Sequence, residues 1–345
     1  MPDGATAAAS HTPPGRPDKP GGFVCEAPVT ALNILLVAEE AAGARLLRAL
    51  SEIGHRVVAV ATGSSVGSDR GANVAKLARQ SDIPIWPAAR VKESACAARL
   101  NELDVDVLLN VHSLYRIHPD VLAAARYGGF NLHPGPLPFY AGLNAPSWAI
   151  YDGRTRHAVS VHKMDAGIDT GPLVSEAWFE ISPSDTGLTV SNNCVKHGLP
   201  LMLGLVDQLA RDAGALAFRD LESAERVYHG REVPNGGRID WQQPARRVVD
   251  FIRACDYWPF PSPWGHPRGV IDGRSVEVLK ARRTHRPATR PPGTVSCYDT
   301  GQPVRVACSD EEIDVTHIVF EGRAVRAAEV LGHGADDSGH AQRTT

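Results

Sequence analysis

The stretch GFNLHPGPLPFYAG, residues 129–142, decides how the chain is organised. Its segment Phe130-Asn131-Leu132-His133 predicts the end of a β-strand, because three prolines among the next five residues prevent the strand from continuing. Residues two apart on a strand point to the same face, so the Asn131 and His133 side chains are expected to project together. An amide beside an imidazole at the end of a strand suits a carbonyl oxygen that becomes negatively charged during a reaction.

The residues that precede this stretch alternate between predicted strands and predicted helices. Continuous apolar runs such as LNILLV and VDVLLNV are typical of strands that a parallel sheet buries on both faces. We predict strands over residues 32–37, 55–61, 83–86 and 105–111, and helices over residues 40–53, 71–80 and 94–103. This order predicts a doubly wound α/β domain whose ligands bind beyond the carboxyl ends of the strands.

The residues after it predict further α/β structure and then a second, smaller unit. Helices are expected over residues 143–152 and 186–213, with strands over 158–162 and 173–181. A turn-rich segment, residues 231–237, precedes a last helix over 244–254 and short strands over 270–273, 275–279, 293–295, 304–306 and 312–315, which suggest a small β-barrel. We place one domain at residues 31–230, a second at 238–330, and disordered tails at 1–30 and 331–345.

Composition excludes several classes of protein. The chain has 345 residues with a net charge of -3, which gives no overall basic field for nucleic acid. Its six cysteines are far apart and form no Cys-x-x-Cys pair, so we expect reduced thiols in a cytoplasmic protein and neither a zinc site nor a disulfide framework. His112, His118 and His133 follow no ligand spacing on one element, so no metal is expected. No apolar run predicts a membrane span or a signal peptide.

A dinucleotide-binding site fails in detail. The first predicted strand is followed by Ala38-Glu39-Glu40 and not by Gly-x-Gly-x-x-Gly. A turn that admits a pyrophosphate needs glycine and positive potential, whereas two acidic residues oppose an anion. An NAD-dependent dehydrogenase is therefore a poor candidate.

A second stretch, HKMDAGIDTGP at residues 162–172, completes a pattern with the first. Asn-x-His-Pro-x-x-Leu-Pro-x-x-x-Gly, followed by Asp-x-Gly-x-Asp-Thr-Gly-Pro, resembles the formyltransferases that use 10-formyltetrahydrofolate. These include the glycinamide ribonucleotide, methionyl-tRNA and sugar-nucleotide formyltransferases. The later order IDW (239–241), WPFP (258–261) and PPGTV (291–295) resembles the C-terminal domain of methionyl-tRNA formyltransferase-like proteins. The resemblance covers roughly residues 31–330.

The resemblance implies a Rossmann-like catalytic domain followed by an OB-like barrel, and a reaction in which an amine attacks the formyl carbon of 10-formyltetrahydrofolate. It implies Asn131, His133 and Asp169 as catalytic residues. The Asn131 amide and a protonated His133 would donate to the developing oxyanion, and Asp169 would stabilise the imidazolium or accept the amine's proton. No metal is implied, and the implied cofactor contacts come from Asn110, Val111, His112, Leu137, Asp165, Gly167 and Ile168. Two assignments stay open. Asp165 also suits a turn former, and His162, which follows the predicted strand, either lines the cleft or simply packs.

Three departures from common family patterns bear on the acceptor. Gly135-Pro136 replaces the Ser-Leu often found there, and Ala141 stands where many relatives have arginine. Residues 61–71 (ATGSSVGSDRG) contain only Arg70 where methionyl-tRNA enzymes carry a Lys/Arg-rich loop, which weighs against tRNA.

We therefore predict an N-formyltransferase for a small amine in specialised biosynthesis, the acceptor being an amino acid such as hydroxyornithine or an amino sugar nucleotide. Methionyl-tRNA formyltransferase is the alternative within the family. A non-catalytic folate-binding protein is a remoter one, because binding alone does not require Asn131, His133 and Asp169. The sequence leaves the oligomeric state open.

Overall fold

The computed structural model describes residues 30–63, 73–297 and 302–331. The two predicted tails lie outside the described residues except at Thr30 and Leu331, and so does most of the loop at residues 61–71. In the described part of the chain, no helix is both long and apolar enough to cross a membrane.

The described residues form fifteen strands and eight α-helices, numbered in chain order. The strands are β1 (Asn33–Ala38), β2 (Arg56–Thr62), β3 (Ile85–Pro87), β4 (Val107–Val111), β5 (Gly129–His133), β6 (Ala141–Gly142), β7 (Arg156–Lys163), β8 (Leu173–Glu180), β9 (Tyr228–His229), β10 (Arg268–Ile271), β11 (Arg274–Pro287), β12 (Val295–Cys297), β13 (Val304–Ala307), β14 (Glu311–Phe320) and β15 (Arg323–Arg326). The helices are α1 (Glu40–Glu52), α2 (Val74–Gln80), α3 (Cys96–Glu102), α4 (Pro119–Ala124), α5 (Ala145–Tyr151), α6 (Gly187–Asp212), α7 (Ala245–Ala254) and α8 (Ala327–Leu331).

The first sheet has seven strands in the order β3-β2-β1-β4-β5-β7-β8. Its first five strands are parallel, and β7 and β8 add to it antiparallel. The strand order reverses beside β1, and open α/β sheets bind ligands beyond the carboxyl ends of their strands at such a point. The central strands β1 and β4 are almost wholly apolar and buried, as the sequence predicts for strands covered on both faces. Separate apolar clusters on the two faces confirm the doubly wound class.

The second sheet is antiparallel and barrel-like, in the order β10-β11-β14-β13-β12, with β15 beside β14. It confirms the expectation of a small β-barrel, but one of its strands, β11, is longer than predicted. The sequence predicts a strand at residues 275–279, whereas β11 continues to Pro287. Register shifts between β11 and β14 interrupt the alternation that marks a strand, so its second half has no clear period of two.

Helix α7 joins the two sheets. Arg247 Nη1 donates to the Tyr151 carbonyl oxygen at 2.6 Å, and Ser147 Oγ on α5 donates to the Ala254 carbonyl oxygen at 2.9 Å. One continuous apolar cluster contains both Leu132 of the first sheet and Val315 of the second. The α7 helix is correctly predicted but is not the last helix, because α8 follows β15.

Candidate active site

Three polar side chains meet at the carboxyl end of β5. Asn131 and His133 lie on this strand, and Asp169 lies on the loop between β7 and β8. Asn131 Nδ2 is 3.3 Å from Asp169 Oδ1, and His133 Nδ1 is 3.4 Å from Asp169 Oδ2. The structure therefore brings together the three residues that the sequence selected. β7 pairs antiparallel with β5, with Lys163 across from Phe130, and the loop after β7 turns back so that Asp169 reaches Asn131 and His133.

His133 is 2% exposed and contacts oxygen through both ring nitrogens. Its Nε2 lies 2.6 Å from the Tyr140 carbonyl oxygen, an atom that can only accept a hydrogen bond, so Nε2 carries the proton. The remaining nitrogen, Nδ1, faces the Asp169 carboxylate. Burial lowers the pKa of His133, although Asp169 and the Tyr140 carbonyl oppose that shift. Burial thus favours a neutral imidazole whose Nδ1 can accept one proton beside Asp169. The resemblance to formyltransferases implied a protonated ring instead.

Asp169 is held by groups from three segments. The Gly142 amide donates to Oδ2 at 2.8 Å, and His162 Nε2 lies 3.3 Å from Oδ1. The backbone of Asp169 has a φ of +53°, a region that Asp tolerates better than most residues. Burial alone would raise the pKa of this carboxyl, but His133, His162 and the Gly142 amide together hold it below its usual range. The group is therefore a carboxylate throughout the physiological range.

His162 is a member of the site that the sequence left undecided. It is buried on β7, directly across from Asn131 on β5. Its Nδ1 donates to the Lys163 carbonyl oxygen at 3.0 Å, and its Nε2 lies 3.1 Å from Asn131 Nδ2 and 3.3 Å from Asp169 Oδ1. The pairing of β5 with β7 creates this contact, and nothing in the local sequence announces which strands pair.

The residues proposed from the β4 end lie beside the same cluster. Asn110 Nδ2 donates to Asn131 Oδ1 at 2.9 Å, while Asn110 Oδ1 is buried without a protein partner among the described residues. Val111 is fully buried, and His112 follows it with a φ of +57°. A buried acceptor without a partner suits an N–H group of a bound ligand, because burying it unpaired costs about 1–3 kcal/mol.

The other proposed cofactor contacts fall into two groups. Leu137 is buried in the turn after β5, where its amide donates to Ser160 Oγ at 3.3 Å. Asp165 Oδ1 accepts from the Gly167 amide at 2.9 Å and from a nearby threonine hydroxyl, so Asp165 shapes the loop as a turn former. Ile168 is 44% exposed and presents its side chain next to Asp169.

A segment that the sequence did not single out also contacts the site. We name residues 217–232 the strap. Its strand β9 pairs in parallel with β6, Val227 donates its amide to the Pro138 carbonyl oxygen, and Arg226 Nη2 donates to the Ile168 carbonyl oxygen at 2.8 Å. The strap therefore contacts both the turn that follows β5 and the loop that carries Asp169. Within the described residues, no cluster of three or more His, Cys, Asp or Glu side chains could hold a metal.

Two histidines near the site, the half-buried His112 and the buried His157, predict acid sensitivity. Burial lowers the pKa of both His112 and His157 to about 4. The pKa of histidine in the unfolded chain is about 6.5. Between that pH and pH 4, the unfolded chain binds protons that the folded chain excludes, so the free energy of unfolding decreases as the pH is lowered. Each histidine is expected to cost on the order of 2 kcal/mol at pH 5 relative to pH 7.5.

Urea unfolding at pH 7.5 and pH 5.0 measures this loss. His157→Gln keeps a donor for the Pro134 carbonyl oxygen that His157 Nε2 contacts, but it cannot titrate, so its stability should depend less on pH. Equal pH dependence of the variant and the wild type would contradict the assignment.

Comparison with known families places these residues in context. Two family models match the chain, one described as formyl transferase over residues 32–203 and one described as formyl transferase, C-terminal domain, over residues 233–335. Both the 129–142 stretch and the 162–172 stretch lie inside the first match.

Solved structures share the fold at low identity. The N-formyltransferase from Helicobacter canadensis, in complex with folinic acid and dTDP-3-aminofucose, has a TM-score of 0.65 and 15% identity, covering 82% of this chain and 98% of that chain. A likely sugar N-formyltransferase from Mycobacterium tuberculosis has a TM-score of 0.55 and 21% identity, covering 72% of this chain and 96% of that one.

HypX from Aquifex aeolicus, in complex with tetrahydrofolic acid, has a TM-score of 0.61 and 18% identity, and this chain spans about half of it, 88% of this chain matching 47% of that chain.

The two family models follow each other in the expected order and together span most of the sequence. The chain belongs to the formyl transferase family.

Proposed function

We propose that the protein transfers the formyl group of 10-formyltetrahydrofolate to the amine of a small molecule, and that an amino sugar nucleotide is the first acceptor to test. The observation that carries the proposal is the convergence of Asn131, His133 and Asp169 on one point within a formyl transferase fold. The Helicobacter and Mycobacterium proteins, named as an N-formyltransferase and a likely sugar N-formyltransferase, support the choice of acceptor.

The reaction assigns a role to each residue. The amine nitrogen attacks the formyl carbon, and negative charge develops on the formyl oxygen. The Asn131 amide can donate to that oxygen by giving up its longer contact, the one of 3.3 Å to Asp169 Oδ1. Its contacts with Asn110 and His162 keep the amide in orientation.

The proton that the amine loses is transferred within the same cluster. As the new C–N bond forms, the amine loses a proton to His133 Nδ1, where the Asp169 carboxylate stabilises the imidazolium. When the bond between the formyl carbon and N10 breaks, N10 gains one proton, so His133 returns to its neutral form. The products are a formamide and tetrahydrofolate, and no metal or oxidant is required.

The folate side of the cleft fits the residues present. Asn110 Oδ1, a buried acceptor without a described protein partner, is available to a ring N–H group, and the loop of Asp165, Gly167 and Ile168 offers exposed peptide groups beside Asp169. Asn110, Val111, His112 and Leu137 would form the opposite wall.

Release of tetrahydrofolate tests the proposal directly. The purified chain is incubated with 10-formyltetrahydrofolate and a panel that contains nucleoside diphosphate amino sugars, hydroxyornithine and methionyl-tRNA, and release is followed by absorbance. We expect release above the amine-free rate with an amino sugar nucleotide. Faster formylation of methionyl-tRNA than of every small amine would reverse the choice of acceptor. Folate binding without release for any amine would favour the non-catalytic alternative.

A further inference from the structure

The strap carries an arginine, Arg226, close to the loop that holds Asp169. Arg226 is half-buried, and its Nη2 donates to the carbonyl oxygen of Ile168, the residue before Asp169. Its Nε is buried and has no hydrogen-bond partner, and no described carboxylate forms an ion pair with the guanidinium. A buried guanidinium nitrogen without a partner is costly, and an anionic ligand beside the guanidinium would lower that cost.

An exposed aromatic ring lies beside this arginine. Tyr228 is 46% exposed, and its ring centroid lies 5.1 Å from the Arg226 guanidinium carbon. The ring covers Gly142, since a Cβ built on Gly142 would lie 2.8 Å from Tyr228 Cε2. Gly142 is the residue whose amide holds Asp169. Tyr228 therefore lies next to both the arginine and the residue whose amide holds Asp169.

The spacing of these groups restricts the ligand. Arg226 binds the residue before Asp169, and consecutive Cα atoms are about 3.8 Å apart. An acceptor whose amine reaches His133 and Asp169 could therefore place an anionic group near Arg226. Guanidinium groups bind both phosphate and carboxylate oxygens in a bidentate manner, and a diphosphate offers Arg226 more negative charge than the single carboxylate of a free amino acid.

We infer that Arg226 and Tyr228 form the subsite for the diphosphate of a nucleotide-linked amine, with Arg226 binding the phosphate oxygens and Tyr228 contacting the sugar that carries the amine. This inference rests on the proposed function, because it takes the amine end of the ligand to lie at His133 and Asp169. It assigns acceptor choice to the strap and not to either sequence motif.

Binding of nucleoside diphosphates tests the subsite without turnover. Isothermal titration calorimetry is performed with UDP, dTDP, GDP and ADP on the full chain and on Arg226→Gln, Tyr228→Ala and Arg231→Gln. Arg231 is an exposed arginine on the same strap and serves as the matched control. We expect at least one diphosphate to bind the wild type, and Arg226→Gln to weaken it roughly 10- to 100-fold, the cost of losing a charge-assisted hydrogen bond.

Folate binding and the midpoint of urea unfolding show whether a variant is folded, and the loss of diphosphate affinity in Arg226→Gln should exceed any change in either of them. Equal diphosphate affinity of the wild type and Arg226→Gln would overturn the inference. So would a wild type that binds no diphosphate but formylates a phosphate-free amine, a result that leaves the proposed function standing. If methionyl-tRNA binds the chain more tightly than any free nucleotide does, the assignment of a small-molecule acceptor is overturned. Arg226-dependent diphosphate binding supports the subsite even if no formyl transfer is found.

Discussion

Asp169→Asn is expected to lower kcat by roughly 10²- to 10⁴-fold, the range typical of a lost acid–base group. Asparagine keeps the shape of the side chain and one oxygen for the Gly142 amide, which donates to Asp169 at 2.8 Å. It cannot carry the negative charge that stabilises a protonated His133, whose Nδ1 lies 3.4 Å from the carboxylate. Transfer of the amine's proton to His133 would then be unfavourable at the moment of attack.

Single-turnover release of tetrahydrofolate measures the chemical step, and equilibrium titration with folate measures binding. Folate affinity is expected to change little, because the effect falls on proton transfer. Asp207→Asn is a matched control, since Asp207 lies on the exposed surface of α6 and pairs only with Arg211 among the described residues. A single-turnover rate for Asp169→Asn within tenfold of the wild type would remove this carboxylate from the mechanism.

Gly142→Ala is expected to lose both stability and activity. The residue has a φ of +93°, and a Cβ there would lie 2.2 Å from the His229 carbonyl oxygen of the strap. The left-handed backbone costs about 1–2 kcal/mol for a residue with a side chain. The contact with His229 forces β6 and β9 apart as well, and it shifts the amide that holds Asp169. A displacement of about 1 Å at a reacting group can cost on the order of 100-fold in rate.

Gly54→Ala separates these two effects. Gly54 has a similar φ of +86°, but no atom lies within 4 Å of the position that its Cβ would occupy. We expect both variants to lose unfolding free energy, measured in urea, and only Gly142→Ala to lose formyl transfer. Equal activity of the two variants would show that the contact between β6 and the strap is not required for catalysis.

The sequence alone determined the parts of this protein that depend on local patterns. Apolar strands alternating with helices predicted the parallel sheet, and the prolines after His133 ended β5 at the correct residue. The spacing of two on that strand placed Asn131 and His133 on one face. The resemblance of the two motifs added Asp169, which the structure brings next to both.

Only the tertiary structure decided which distant segments join them. His162 enters through the pairing of β7 with β5, the Tyr140 carbonyl enters through the path of the turn, and Arg226 enters through the strap. The motif itself lacks a cation, since Ala141 stands where many relatives have arginine. The structure brings one from a residue far along the chain. Periodicity and spacing report how a residue relates to its sequence neighbours, whereas strand pairing and loop packing are set by contacts between segments that no local pattern encodes.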